Sequence, residues 1–531
     1  MRFRKIQLVF LAFFIAINAY SQQPLTSGGQ KIENLLQLIN YAYVDTVNED
    51  KITEAAIVAL LKELDPHSVY IPEKELKKMN EPLIGNFEGI GIQFNILHDT
   101  LIVVSPIPGG PSEKVGLLAG DKIVEVDGEN IAGIGIQNSD IQKKLRGKKG
   151  TKVTVGIKRK RVKELLKFTI TRDEIPIYSV DASYMLNDEI GYIKINRFAS
   201  KTIDEFREGL AKLKKQNVKH LVLDLRGNGG GYLKSAIQLA DEFLEEDKLI
   251  VYTEGIKSPK QEYHTTEKGG FEKGKLVILI DEGSASASEI VSGAIQDYDR
   301  GLIVGRRSFG KGLVQKPFSL VDGSAVRLTI ARYYTPSGRS IQRPYDEGKE
   351  EYYKELTRRY EHGEMSVKDS IVFPDSLKFK TLNSKRIVYG GGGIMPDVFV
   401  PIDTSMYSDY LSEVTREGIV NEFTLEYTQE KREQLLATYP DLKQFKANFD
   451  AEKELLEDFV AYAEKKEVAK NEEEIAISKD FLLTRLKAMI ARNLWDSSAF
   501  YEIVSNIDTT LQRAVEEINN DTFKKEKLVY K

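Results

Sequence analysis

The spacing of hydrophobic positions changes several times along the chain, and each change predicts a different kind of structure. Between residues 30 and about 82, Ile32, Leu35, Leu36, Leu38 and Ile39, then Ile57, Leu60, Leu61 and Leu64, recur at helical intervals. Pro66 and Pro72 end that pattern. From about Leu83 to Thr171 the spacing becomes that of short alternating strands with Gly/Pro turns, among them a two-residue turn at Asp127-Gly128. From about Arg172 to Arg343 strand and helix patterns alternate, as an α/β core requires. Strands are predicted over 191–195, 220–225, 276–280, 302–304, 313–321 and 325–331, and helices over 202–215, 233–244 and 284–297. Residues 345–384 are polar and charged, which predicts a surface insertion, and 390–401 reads as a strand returning to the core. The remainder, 404–531, is helix-patterned and heavily charged.

A chain of 531 residues exceeds one hydrophobic core, so roughly three domains are expected. The net charge of −4 gives no electrostatic footprint for nucleic acid. The basic run Lys158-Arg159-Lys160-Arg161 lies between two β-patterned segments and reads as a hairpin tip. Arg2, Arg4 and Lys5 precede an apolar stretch from Leu8 to Ile17, and Ala19-Tyr20-Ser21 supplies small residues at a cleavage site, so residues 1–21 read as an export signal. Ten apolar residues rise about 15 Å as a helix, half of a bilayer core, which favours a cleaved signal over a permanent span. The expectation is an exported, periplasmic protein, with an uncleaved anchor in the inner membrane as the alternative. The absence of cysteine excludes a disulfide framework and a lipid-modified cysteine.

Candidate chemistry sits in two small-residue turns, Gly283-Ser-Ala-Ser-Ala-Ser-Glu289 and Phe309-Gly-Lys-Gly312, each following an apolar strand pattern. Ser286 in the first and Lys311 in the second make a nucleophile and a base. A lysine amine acts as a base only when neutral. Lowering its ordinary pKa of about 10.4 by three units costs about 4 kcal/mol, which burial away from carboxylates can supply. The residues flanking Lys311 carry no negative charge. In a strand, positions 311, 313 and 315 share a face, so Gln315 is placed to orient the amine without favouring its charged form as an acid would. Backbone N–H groups of Ala287, at the start of a helix, and of Gly230 or Gly231 are the candidates for an oxyanion hole.

Gly305-Arg-Arg-Ser-Phe-Gly-Lys311 matches most of a phosphate-binding loop, but Gly312 stands where a Ser or Thr would bind Mg²⁺, and a strand pattern follows instead of a helix. That argues against an NTPase. The five histidines, His67, His98, His220, His264 and His362, show no paired ligand spacing, so neither a metal nor a cofactor is expected. The remaining rival is a non-catalytic scaffold.

Asp224-Leu-Arg-Gly-Asn-Gly-Gly-Gly231, Ser284-Ala-Ser-Ala-Ser-Glu-Ile290 and Gly305-Arg-Arg-Ser-Phe-Gly-Lys-Gly-Leu-Val-Gln315 closely resemble the C-terminal processing (tail-specific) serine proteases. So do Leu64-Asp-Pro-His-Ser68 and Phe87-Glu-Gly-Ile-Gly-Ile-Gln-Phe94. The resemblance covers about residues 30–403. It implies a serine endopeptidase working through an acyl-enzyme, with Ser286, the middle serine of its triplet, as nucleophile, Lys311 as base and Gln315 completing the site. It also implies a multidomain α/β chain: a ClpP/crotonase-like core over 172–403 interrupted by the 345–384 insertion, an inserted PDZ domain over 83–171, and helical regions at 22–82 and 404–531. Residues 83–171 resemble a PDZ domain in their own right, with Gly89, Ile90, Gly91 and Ile92 forming the loop that holds a free carboxylate. Ile141 and Leu145 either wall the tail pocket or belong to the domain's core. The partners implied are proteins with exposed apolar C-termini; an adaptor or self-association through the helical ends is open. The family often has proline where this chain has Gly229, and Asp297 is a candidate auxiliary residue or a helix-end structural one.

Overall fold

A computed structural model describes residues 26–266 and 268–530. The export-signal reading falls outside these residues. Among the described residues no helix is long and apolar enough to cross a membrane. The chain divides after Tyr70 into two compact units.

The first unit contains helices Ser27–Ala42 and Glu49–Lys62. Each is started by a polar cap: Thr26 Oγ accepts from Gly29 N at 3.1 Å, and Asn48 Oδ1 from Lys51 N at 2.9 Å. In the Asp-Pro-His-Ser turn beyond them, Asp65 Oδ1 accepts the N–H groups of His67 and Ser68.

The second unit is organised by a six-stranded sheet whose spatial order is its chain order: β1 (Val180–Met185), β2 (Ile190–Ile195), β3 (His220–Asp224), β4 (Leu276–Ile280), β5 (Leu302–Gly305) and β6 (Val398–Phe399). β1 runs antiparallel to β2, and the other neighbours are parallel. Every residue of β4 is buried, which explains its unbroken apolar sequence: it lies between two covered faces. Helices α1 (Thr202–Lys214), α2 (Leu233–Asp241) and α3 (Ala287–Asp297) bury Ile203, Phe206, Leu210, Leu239, Ile290 and Ala294 on one side. Each large apolar side chain contributes about 1.5–3 kcal/mol there relative to exposure. The other side is covered by the chain's end, where Leu511, Ala514, Ile518 and Phe523 pack on Tyr192, Val222 and Val277. The last part of the C-terminal helical region is therefore a layer of the core.

An antiparallel sheet flanks this core, joining Leu313–Ser319 to Ala325–Tyr334 and the latter to the hairpin Leu249–Gly255 and Ser258–His264. The hairpin has no counterpart in the sequence reading, because its second strand is polar and mostly exposed, with no period to mark it. The 345–384 insertion contains helix α4 (Lys349–Glu361), which buries Tyr352 and Arg359 rather than lying wholly on the surface.

Residues 83–171 contain a five-strand path with Glu129–Asn130 at its side, closed around Leu101, Val103, Ile123, Val155 and Ile170. Ile141 and Leu145 belong to that core. The strands Asn86–Gly89 and Asp173–Pro176, which lead into and out of the domain, pair with each other. Its hairpin meets helix α5 (Ile419–Thr438), where Leu97 and Ile102 pack on Leu425.

Candidate active site

Ser286 occupies the turn between β4 and α3 with φ 55° and ψ −109°, a left-handed conformation that costs energy for a residue with a Cβ. A strained turn at a strand-to-helix junction is the device that lifts a nucleophilic serine out of a sheet. Ser284 and Ser288, its neighbours in the triplet, are buried and hold structure: Ser284 Oγ donates to Leu225 O at 2.9 Å and Ser288 Oγ to Asn228 O at 2.8 Å. Ser286, Ala287, Lys311, Gln315 and Gly229–231 line one cleft of about 1160 Å³. The fold thus gathers the residues singled out from three separated motifs. Lys311 Nζ donates to Gln315 Oε1 at 3.1 Å. Lys311 precedes the strand that carries Gln315, so a loop-to-strand approach makes this contact, in place of the shared strand face expected from the spacing.

The glycines are required by close approach. Gly230 has φ 102°, and a Cβ on it would lie 2.9 Å from Ala285 O and 3.1 Å from Ala287 N. Gly230 N–H donates to Asn228 Oδ1 at 2.9 Å, so in this state it is committed within its own loop. At Gly231 a Cβ would lie 2.1 Å from Phe198 O.

Two residues that the sequence reading gave no role join the two turns. Glu289 is fully buried, and its carboxylate accepts Ser286 N at 2.7 Å and Lys311 N at 3.0 Å through Oε2. Through Oε1 it accepts Ser308 Oγ at 2.5 Å and Gly310 N at 2.7 Å. Burial raises its pKa above the usual carboxylate range, with these donors pulling the other way. The Ser-x-x-Glu spacing of a capping box was the available signal. Tyr333, also buried, places its hydroxyl against the carbonyls of both Ser286, at 3.1 Å, and Lys311. Nothing in its strand pattern could have marked it. The sequence near Lys311 carries no acid, yet the fold brings one to its backbone.

Asp297 is not part of the cleft lining. It is fully buried, pairs with Arg339 at 2.8 Å and accepts Ser337 N at 2.9 Å, which is the structural role at a helix end. In the PDZ-like loop Gly91 has φ 72°, and the carbonyls of Ile90 and Gly91 accept Ser112 N and Ile107 N. Among the described residues one His/Glu group has ligand atoms within 4.8 Å of one another: His98, Glu422 and Glu426, joined across the hairpin and α5. Lys466 already pairs with Glu422 there at 2.7 Å, and the group does not line the cleft.

Family models match four segments. Residues 189–348 match peptidase family S41, 102–159 a PDZ domain, 16–75 the N-terminal domain of the activating protease CtpB, and 410–496 a family of unknown function (DUF8443). The carboxy-terminal processing protease CtpB of Bacillus subtilis (strain 168) is 37% identical over 318 residues, covering 59% of this chain and 65% of that protein. A probable CtpA-like serine protease of Staphylococcus aureus (strain MRSA252) is 36% identical over 315 residues, covering 59% and 62%. The chain therefore spans less than two thirds of the length of these relatives. Among solved structures, the photosystem II D1 C-terminal processing protease aligns at 26% identity and TM-score 0.37, covering 74% of this chain and 97% of its own. The chain carries segments that match a peptidase S41 domain, a PDZ domain and a CtpB-type N-terminal domain, and over 59% of its length it is similar to proteins named as carboxy-terminal processing and CtpA-like serine proteases.

Proposed function

We propose that the chain is a serine endopeptidase in which Ser286 attacks a peptide carbonyl and Lys311 takes the serine's proton. The observation that carries this reading is the convergence of a strained serine and a lysine on one cleft, their backbones tied to a single buried carboxylate. In the first step the Ser286 Oγ–C bond forms as the proton passes to the neutral Lys311 amine. The amine then returns that proton to the departing amine of the substrate, leaving an acyl-enzyme that water hydrolyses by the same relay. Gln315, hydrogen-bonded to the lysine amine, orients it. Ala287 N–H, at the start of α3, supplies one donor to the oxyanion, where the helix dipole adds to it. Gly231 is the better second candidate, since Gly230 N–H is held by Asn228.

Substrates are recognised by their C-terminal tails at the PDZ domain, with the terminal carboxylate held by the Gly89–Ile92 loop and the tail added beside the strand Ile92–Leu97. Recognition reaches the cleft through helix Glu73–Ile84: it lends Asn80, Leu83 and Ile84 to the cleft wall and runs into the PDZ entry strand through Gly85, which has φ 86°. Movement of the tail-bound domain would therefore alter the cleft and the reach of Lys311.

The test compares wild type, Ser286→Ala and Lys311→Ala on an unfolded polypeptide with an apolar C-terminus. Both variants should be inactive while still binding the tail; equal activity in all three would refute the dyad. Deleting 83–171 should abolish or deregulate cleavage of that polypeptide, and unchanged rate and specificity would refute gating.

A further inference from the structure

Tyr352, Glu355, Arg359 and Glu364 of the insertion lie outside both the 189–348 and the 410–496 family matches, yet they hold the loop that carries Lys311. Arg359, with 3% of its side chain exposed, donates to Arg307 O at 2.7 Å, to Ser308 O at 3.0 Å and to Glu364 at 2.7 Å. Glu364 in turn takes two bonds from Arg307, both 2.7 Å. One residue further on, the Phe309 ring lies 4.0 Å from the Arg343 guanidinium, and the Tyr352 ring, edge-on to Phe309, lies 3.9 Å from the same group. Arg343 also donates its N–H to Gly310 O at 3.0 Å and pairs with Glu355.

The 307–311 segment is thus gripped at two sets of atoms. Glu289, from the core, takes the Ser308 hydroxyl and the N–H groups of Gly310 and Lys311. The insertion takes the carbonyls of Arg307 and Ser308 through Arg359 and sets the edge of Tyr352 against the ring of Phe309, with centroids 6.1 Å apart. With donors engaged at both sets, the path of the backbone into Lys311 is fixed, and with it the origin of the lysine side chain. We infer that the 349–364 segment is a positioning device for Lys311, with Arg359 as its central residue; the inference rests on the Ser286/Lys311 reading above. An ion cluster that merely folded the insertion would satisfy its own charges. This one spends two of its guanidinium donors on carbonyls of the catalytic loop. Arginine is required because only a planar fork spans two carbonyls and a carboxylate at once; a lysine ammonium is a single point.

The experiment uses the full chain and compares Arg359→Gln, Arg359→Lys and Lys311→Ala. The readouts are kcat and KM on an unfolded fluorogenic polypeptide with an apolar tail, tail-peptide binding, and hydrogen exchange of 306–311. Displacing a catalytic group by about 1 Å costs on the order of 100-fold, so Arg359→Gln should lower kcat by about 10- to 100-fold with KM within about twofold. Arg359→Lys should fall between it and wild type, and exchange at 306–311 should rise in step while tail binding is unchanged. Wild-type kcat and exchange in Arg359→Gln, with Lys311→Ala inactive, would overturn the inference and leave the dyad standing. If Lys311→Ala proves active, the dyad fails instead, and exchange at 306–311 alone decides the clamp: a rise supports it and no change overturns it. Should Arg359→Gln not fold, Tyr352→Leu, which removes the ring beside Arg343 and its hydroxyl bond but leaves the Arg343–Glu355 pair, must lower kcat by the same mechanism.

Discussion

Replacing Glu289 by Gln tests whether one carboxylate holds nucleophile and base in register. The carboxylate accepts four donors, two at each oxygen. An amide has one acceptor oxygen. In its better orientation the NH₂ takes the Oε1 side, where the Ser308 hydroxyl can turn and accept, and only Gly310 N–H is left facing a donor. The opposite orientation would set the NH₂ against two N–H groups, those of Ser286 and Lys311. One orphaned buried N–H costs about 1–3 kcal/mol, and the other bonds lose their charge assistance. Removing a desolvated charge offsets part of this, leaving a net loss of about 2 kcal/mol. The loss falls on the two turns, so kcat should drop by about 10- to 100-fold. The pH dependence has a defined sign. Because burial raises the Glu289 pKa in the folded state, its stabilisation is complete below the unfolded value near 4.3 and declines as pH rises through the folded value. The stability gap between wild type and Glu289→Gln should therefore narrow as pH rises across that window. Denaturant unfolding from pH 4 upward and single-turnover cleavage at neutral pH are the assays. Wild-type kcat together with a pH-independent gap would refute the reasoning.

Gly230→Ala should fold poorly or lose more than about 100-fold in activity, because its Cβ would press on Ala285 O and the approach to Ala287 N; wild-type kinetics would show that the glycine loop does not border the reacting carbonyl. Asp224 is depressed well below the usual carboxylate range: burial opposes ionisation, but Arg226 and Lys194 outweigh it. Its stabilisation is present above the unfolded value near 3.9 and lost as pH falls through the lower folded value, so acid unfolding of the core should slope in that interval, and a flat profile would contradict the pairing. Asp508→Asn, which leaves Arg226 one carboxylate instead of two, should loosen helix Thr509–Asn519 by about 1 kcal/mol in hydrogen exchange. Leu425→Asp should release the PDZ hairpin from α5 and speed proteolysis near His98-Asp99, and unchanged cleavage there would deny the contact a role.

The alternation of strands and helices from β2 to β5, the turn at Asp127-Gly128 and the return of 390–401 were legible because each depends on a local period or a turn residue. The three small-residue motifs were legible for the same reason, since glycines and a strained serine answer to backbone geometry within a few residues. The roles of Glu289 and Tyr333 were not, because what they do depends on bonds to Lys311 across 22 residues of sequence, and no period records such a pairing. Nor could a polar insertion announce that it buries Arg359 against the lysine loop, or a charged C-terminal region that its last helices cover the core sheet. Local spacing fixes which faces are apolar and where the backbone can turn. Which buried charge meets which backbone atom is settled only when distant segments pack together, because that energy does not exist until the chain has folded.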